Sequence, residues 1–339
     1  MSLRALRSAA VAAAAARLSY PMLRARPPGG AATWTRTNHR GEPVTLLEGP
    51  AVAIGGVAGA LATGGSGRAR LAAAIAGAGA AAFGGYDDLA GNGGNKGFRG
   101  HLGALRAGEL TTGAVKLAGI GAVGVAAAII AADPADGKLG RRTVTAVLAD
   151  TVINAGLIAG GANLLNLFDL RPGRAVKVAL IAGGLLSSAG MDAIAAPVAA
   201  AAAMLPEDLG ERAMLGDAGA NALGAMLGAA AATSLPRPAR LAALGVVTGL
   251  TAASEVVSFT KVIERTPALR RLDMLGRRPA SGAGNSGGGG SSTSGSRDLS
   301  ASNGAASNGA ASNGAASNGA AGPAVGKHRA RTLPPAEAG

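Results

Sequence analysis

Ala81-Ala82-Phe83-Gly84-Gly85-Tyr86-Asp87-Asp88-Leu89-Ala90-Gly91 closes one apolar run, and Thr111-Thr112-Gly113 opens the next, with Lys116 a turn inside it. The connection between them is glycine-rich and carries Lys96, Arg99, His101 and Arg106. A carboxylate leaving water needs a cation, a metal or hydrogen-bond donors. Two adjacent carboxylates at the mouth of an apolar helix, followed by spaced cations, suit a site for a metal and a phosphate. The plainer alternative is that the pair caps a membrane helix at the water line. On this stretch alone the two readings balance.

Outward from it, apolar runs recur at 4–23, 50–63, 69–86, 112–132, 143–165, 175–189, 191–205, 218–235 and 240–258. Several fall short of the roughly 20 residues of an upright span. Only helices or closed barrels satisfy the backbone in lipid, and no period-2 alternation favours a barrel. The expectation is an all-α, polytopic membrane bundle of about nine to ten transmembrane helices. Composition agrees: 48% hydrophobic and 15% charged over 339 residues, with a mean hydropathy of +0.30, is too apolar for an ordinary soluble enzyme. Aromatics at 2% leave no interfacial belt, while Ala and Gly permit close helix approach.

The net charge of +13 fits an anionic membrane surface and a phosphate-bearing substrate. No nucleic-acid module accompanies it, so nucleic acid is not an expected partner. The lack of cysteine excludes disulfides and thiolate metal sites. Leu3 to Leu23 reads as a first anchor helix rather than a cleaved signal. With the N-terminus outside, the inner connections hold more Lys and Arg than the outer ones, as the positive-inside rule asks. Every motif-like segment then lies on the cytoplasmic face of the cell membrane. Residues 281–339 are low complexity, with Ser302-Asn303-Gly304-Ala305-Ala306 repeated through Ala321, and are expected to be a disordered tail behind a 1–280 membrane domain.

Asn163-Leu164-Leu165-Asn166-Leu167-Phe168-Asp169 ends the fifth run. Its three polar positions are spaced by three, which on a helix makes one stripe. Amide and carboxylate oxygens suit Mg²⁺; asparagines bonding between helices explain the pattern equally well. Met214-Leu215-Gly216-Asp217-Ala218-Gly219-Ala220-Asn221 opens the eighth run. There Asp217 reads either as a ligand or as an N-cap, and a cap requires neither the flanking glycines nor Asn221.

These segments together resemble the polyprenyl-phosphate N-acetylhexosamine-1-phosphate transferases, which include the lipid-intermediate synthases of peptidoglycan and wall polymers. Gly85-Tyr86-Asp87-Asp88, with Lys96-Gly97 and Lys116 downstream, resembles their double-aspartate motif. Asn163 to Asp169 is similar to their Asn-Ala-x-Asn-Leu-x-Asp, and Met214 to Ala220 to their Phe-x-Gly-Asp-x-Gly-Ser. Arg36 to Val44 is similar to the first cytoplasmic loop. The likeness covers about residues 5–278, with the motifs in order.

The resemblance implies transfer of a sugar 1-phosphate from a UDP-sugar to a polyprenyl phosphate, with UMP released and Mg²⁺ required. By position, Asp87 and Asp88 would be catalytic, and Asn166 and Asp217 would hold the metal. Lys96, Lys116, Asn163 and Asp169 would bind substrate. Leu170 and Pro172 stand where the family has Gly-x-Asp-Gly-type residues after Asp169, and the histidine cluster of the muramoyl-pentapeptide branch is replaced by Lys261, Glu264, Arg265, Arg270, Arg271, Asp273, Arg277 and Arg278. The sugar is thereby left open, and a homodimer is compatible with the sequence. Two rivals remain: a non-catalytic homologue serving as a membrane binding or scaffold protein, and a solute transporter. The second ranks last, because the carboxylates gather at one interface rather than at the midplane.

Overall fold

A computed structural model describes residues 2–64, 66–91, 100, 103–104, 106–132, 143–188 and 192–279. The chain separates into two units, Met1–Ala283 and Gly284–Gly339. The second unit, and with it the expectation of a disordered tail, lies outside the described residues. The described part is all-α apart from one small hairpin. Its elements are α1 (Leu3–Ala25), α2 (Ala31–Trp34), β1 (Thr35–Thr37), β2 (Pro43–Thr45), α3 (Glu48–Ala62), α4 (Gly67–Ala90), α5 (Thr112–Ala131) and α6 (Val144–Phe168). After them come α7 (Arg174–Ser188), a 3₁₀ turn at Asp192–Ile194, α8 (Ala195–Leu209), α9 (Gly216–Ser234), α10 (Arg237–Ser254), α11 (Phe259–Arg265) and α12 (Pro267–Met274).

Five of the helices, α1, α4, α5, α6 and α11, start where a short polar side chain serves a free N–H group. Thr111 Oγ1 accepts from Ala114 N (3.1 Å) at α5, and Thr143 Oγ1 from Ala146 N (3.3 Å) at α6. Helix α9 is the axle. Every residue from Ala218 to Ala232 is buried, the mark of a helix surrounded on all sides. Leu223, Leu227 and Ala230 join the cluster formed by α1, α3, α7 and α8. Ala225 and Ala229, on another face, join α4, α5 and α6. Where α9 crosses α6 the backbones touch: a Cβ on Gly224 would overlap the Gly161 carbonyl. In lipid, such van der Waals contact between small residues is what holds helices together.

Among the described residues, two helices, α5 and α6, are long and apolar enough to cross a membrane, and α10 with α11 would form a third such unit, bent by 93°. Large apolar side chains point outward around the bundle, among them Leu148, Val152, Ile129 and Val246. The hairpin departs from the purely helical expectation. It pairs Thr35 with Thr45, Arg36 with Val44 and Thr37 with Pro43. Met214 N donates to Thr45 O (3.0 Å), so β2 also fastens the segment that leads into α9.

Candidate functional site

The site forms where α4 ends and α9 begins. The two helices meet so closely there that a Cβ on Gly84 would overlap the Asp217 carbonyl. One turn later, Asp87 and Asp88 separate. Asp88 Oδ1 accepts from Asp217 N (3.0 Å) and Oδ2 from Ala218 N (2.9 Å). The carboxylate therefore caps α9, a helix other than its own, and meets the positive end of the α9 dipole. Gly216, at φ +60°, makes the turn that presents these N–H groups; its missing Cβ leaves room for the Asp88 carboxylate. The Arg36 guanidinium, from β1, donates to the Asp88 carbonyl.

Asp87 points the other way. Its Oδ2 lies 2.7 Å from Lys116 Nζ, and the same ammonium donates to Asp217 Oδ2. Lys116, Asp87 and Asp217 are 12%, 16% and 25% exposed, so the group sits at the rim of the bundle. Asp217 is thus no cap; Asp88 has that task. Asn221 donates to the Asp217 carbonyl (2.7 Å) and so is spent within α9.

Asp169 follows the last residue of α6. Burial pushes its carboxyl well above the usual carboxylate range, and the charges of Asp208, Asp217 and Asp88 push the same way against the Gly216 N–H. Asn163 and Asn166 are half-buried in the last turns of α6. Phe168 stacks on Phe259 with 4.9 Å between ring centroids. Lys96 lies outside the described residues.

A cavity of about 250 Å³ opens beside this cluster. Asn38 and His39 of the hairpin, Asp169, Arg171 and Pro172 after α6, Asp208 in the last turn of α8 and Glu211 just beyond it line it. Glu211 is held by Arg40 Nε (2.9 Å) and Asn38 Nδ2 (2.9 Å). Burial lowers the affinity of His39 for a proton, partly countered by Glu211. Asp208 keeps one buried carboxylate oxygen without a hydrogen bond, and Glu48, fully buried at the start of α3, keeps two. Such groups persist only neutral or near a cation. Glu48, Asp208 and Glu211 escaped the sequence reading, although Glu207-Asp208-Leu209-Gly210-Glu211 is a visible acidic run.

Asp87 and Asp217 converge on one point and oppose one positive charge with two negative ones. Hard oxygens so placed fit Mg²⁺, which one or two carboxylates hold together with waters or phosphate oxygens. Among the described residues, no group of three His, Cys, Asp or Glu side chains could hold a metal by itself. The remaining oxygens would have to come from an amide such as Asn166, from substrate or from water. The chain matches no protein-family model and no curated protein.

Proposed function

We propose that the chain is a multi-pass membrane enzyme that transfers a sugar 1-phosphate from a UDP-sugar to a polyprenyl phosphate. The bundle would sit in the cell membrane with about nine spans and its site toward the cytoplasm. The observation that carries the reading is the meeting of Asp87 and Asp217, from helices far apart in sequence, on a single cation. Phosphoryl transfer needs charge neutralisation and alignment more than covalent help, which such a constellation supplies.

In the reaction an oxygen of the lipid phosphate forms a bond to the β-phosphorus of the UDP-sugar. The bond from that phosphorus to the bridging oxygen breaks, and UMP leaves with the oxygen and its electron pair. Asp87 would hold the proton lost by a monoanionic lipid phosphate. Asp88 would keep the N-terminus of α9, and so Asp217, in place. Lys116 would face the phosphates, while Asn163 and Asp169 would border the nucleotide. Mg²⁺, held by Asp217 and Asp87 with Asn166 near, would neutralise the pyrophosphate.

The test is UMP release from a panel of UDP-sugars by purified protein with Mg²⁺ and undecaprenyl or decaprenyl phosphate. No release with any donor sinks the reading for those donors. One observation favours a second role, as a non-catalytic membrane binding protein: both oxygens of Asp88 are used by the α9 backbone, and Lys116 satisfies the other two aspartates. Binding of the lipid phosphate without UMP release would select that role.

A further inference from the structure

We propose that Lys116 is the exchangeable cation of this site. Its ammonium holds the seat between Asp87 and Asp217 until a divalent cation takes it, and the released ammonium then meets the incoming anion. The identity of that anion rests on the transferase reading; the exchange itself concerns only the two carboxylates and the lysine.

Three observations carry it. First, one ammonium bridges carboxylates from two helices, 2.7 Å from Asp87 Oδ2 and bonded to Asp217 Oδ2. A cation at that point already has the ligands a small divalent ion would use. Second, the Lys116 side chain is 12% exposed, so the bundle does not wholly enclose it. Its flexible stem can swing without moving α5. That helix is fixed on α4, since Gly119 packs so tightly on the Phe83 ring that a Cβ would overlap it. A lysine is a point charge and leaves more readily than a guanidinium, whose fork would lock both carboxylates. Third, the charges do not balance. Asp87 and Asp217 against Lys116 leave one negative charge, which repels a phosphate. A divalent ion in the seat neutralises the two carboxylates, and the freed ammonium leaves the group net positive by one. Cation first, anion second is then the favoured order of binding.

The experiment uses the full chain in detergent, with Mn²⁺ as the probe. Binding is read by electron paramagnetic resonance, and the reactivity of Lys116 by acylation and mass spectrometry. Lys261, exposed on α11, serves as the internal reference. Lys116 should label slowly in chelator and about tenfold faster with Mn²⁺, both following one midpoint. Lys116→Met should bind Mn²⁺ about tenfold more tightly than wild type, and Lys116→Arg more weakly. Three results overturn the exchange: Mn²⁺ bound with unchanged Lys116 labelling, Lys116→Met binding no more tightly, or no Mn²⁺ binding that Asp217→Asn removes. A labelling switch without UMP release supports the exchange and removes the transferase reading instead.

Discussion

Two carboxylate clusters lie at the same end of the bundle and are built in opposite ways. At Asp273 one carboxylate meets an excess of cations. Arg174 Nε donates to Oδ1 (2.7 Å), while Arg174 Nη2 (3.2 Å) and Arg277 Nη1 (2.9 Å) donate to Oδ2. Lys177 Nζ takes the Asp273 carbonyl (2.6 Å), and Thr260 Oγ1 accepts from Arg174 (2.9 Å). At Asp217 two carboxylates share one lysine, with Asp88 and Asp169 close behind. The first cluster is a rivet that pins α11 and α12 to α7. The second is short of positive charge and is held in place by the helices around it. A group that must accept an outside ion has to stay incomplete, and the closed cluster nearby supplies rigidity the open one lacks.

The comparison breaks most visibly at Arg174. Removing one partner of a buried ion pair costs about 3–5 kcal/mol, so Arg174→Met should lower the thermal midpoint in detergent sharply. Asp217→Asn should do the reverse: UMP release falls at least about hundredfold, while the midpoint holds or rises because a like charge is gone. If that variant unfolds as readily as Arg174→Met, the two clusters do not differ in kind. Asp88→Ala sits between them. Loss of the α9 cap should cost about 1–2 kcal/mol in thermal unfolding, with Mn²⁺ binding weakened through the displaced Asp217.

A smaller effect separates the clusters by pH. Burial raises the Asp273 carboxyl, but Arg174, Arg277 and Lys177 outweigh it and hold it below its ordinary value of 3.8. With the folded value below the unfolded one, its contribution is complete above the unfolded value. It fades as the pH falls through the folded value. Wild type should therefore lose thermal stability in mild acid below about pH 4, more steeply than Asp273→Asn does. Least affected should be Glu42→Gln. Its partner Arg278 lies 2.6 Å away, but both side chains are about two-fifths exposed. Solvent screens such a pair, and any shift in midpoint should vanish in high salt.

Much of the helical frame was legible because apolar runs in this chain end at polar caps. The run at 112–132 became Thr112–Ala131, and 143–165 became Val144–Phe168, lengthened because Asn166 and Leu167 carry the helix on. The run at 175–189 became Arg174–Ser188, and within 191–205 the α-helix starts at Ala195 after a 3₁₀ turn at Asp192–Ile194; the expected split at 189–191 lies outside the described residues. The hairpin was not legible, since strands of three residues show no alternation and β2 leans on a segment near residue 213. Nor was the division of labour between Asp87 and Asp88. The sequence offers a cap or a ligand at that place, whereas Asp88 caps a helix 129 residues away. The charged residues after 258 do not show their partners in the sequence: Arg277 and Arg278 are committed to Asp273 and Glu42, while Arg270 and Arg271 stay exposed.

Helix α9 carries a consequence for how the protein is made. It is not among the helices apolar enough to cross a membrane alone, yet its neighbours enclose it almost completely. All the helices that pack against it in the two main clusters, from α1 to α8, precede it in the chain. A ribosome therefore delivers the axle into a socket whose walls have already been synthesised. In a bilayer, its entry would depend on those walls rather than on its own affinity for lipid. A lesion in α4 or α6 would then appear first as failed insertion of α9, with Asp217 stranded in water.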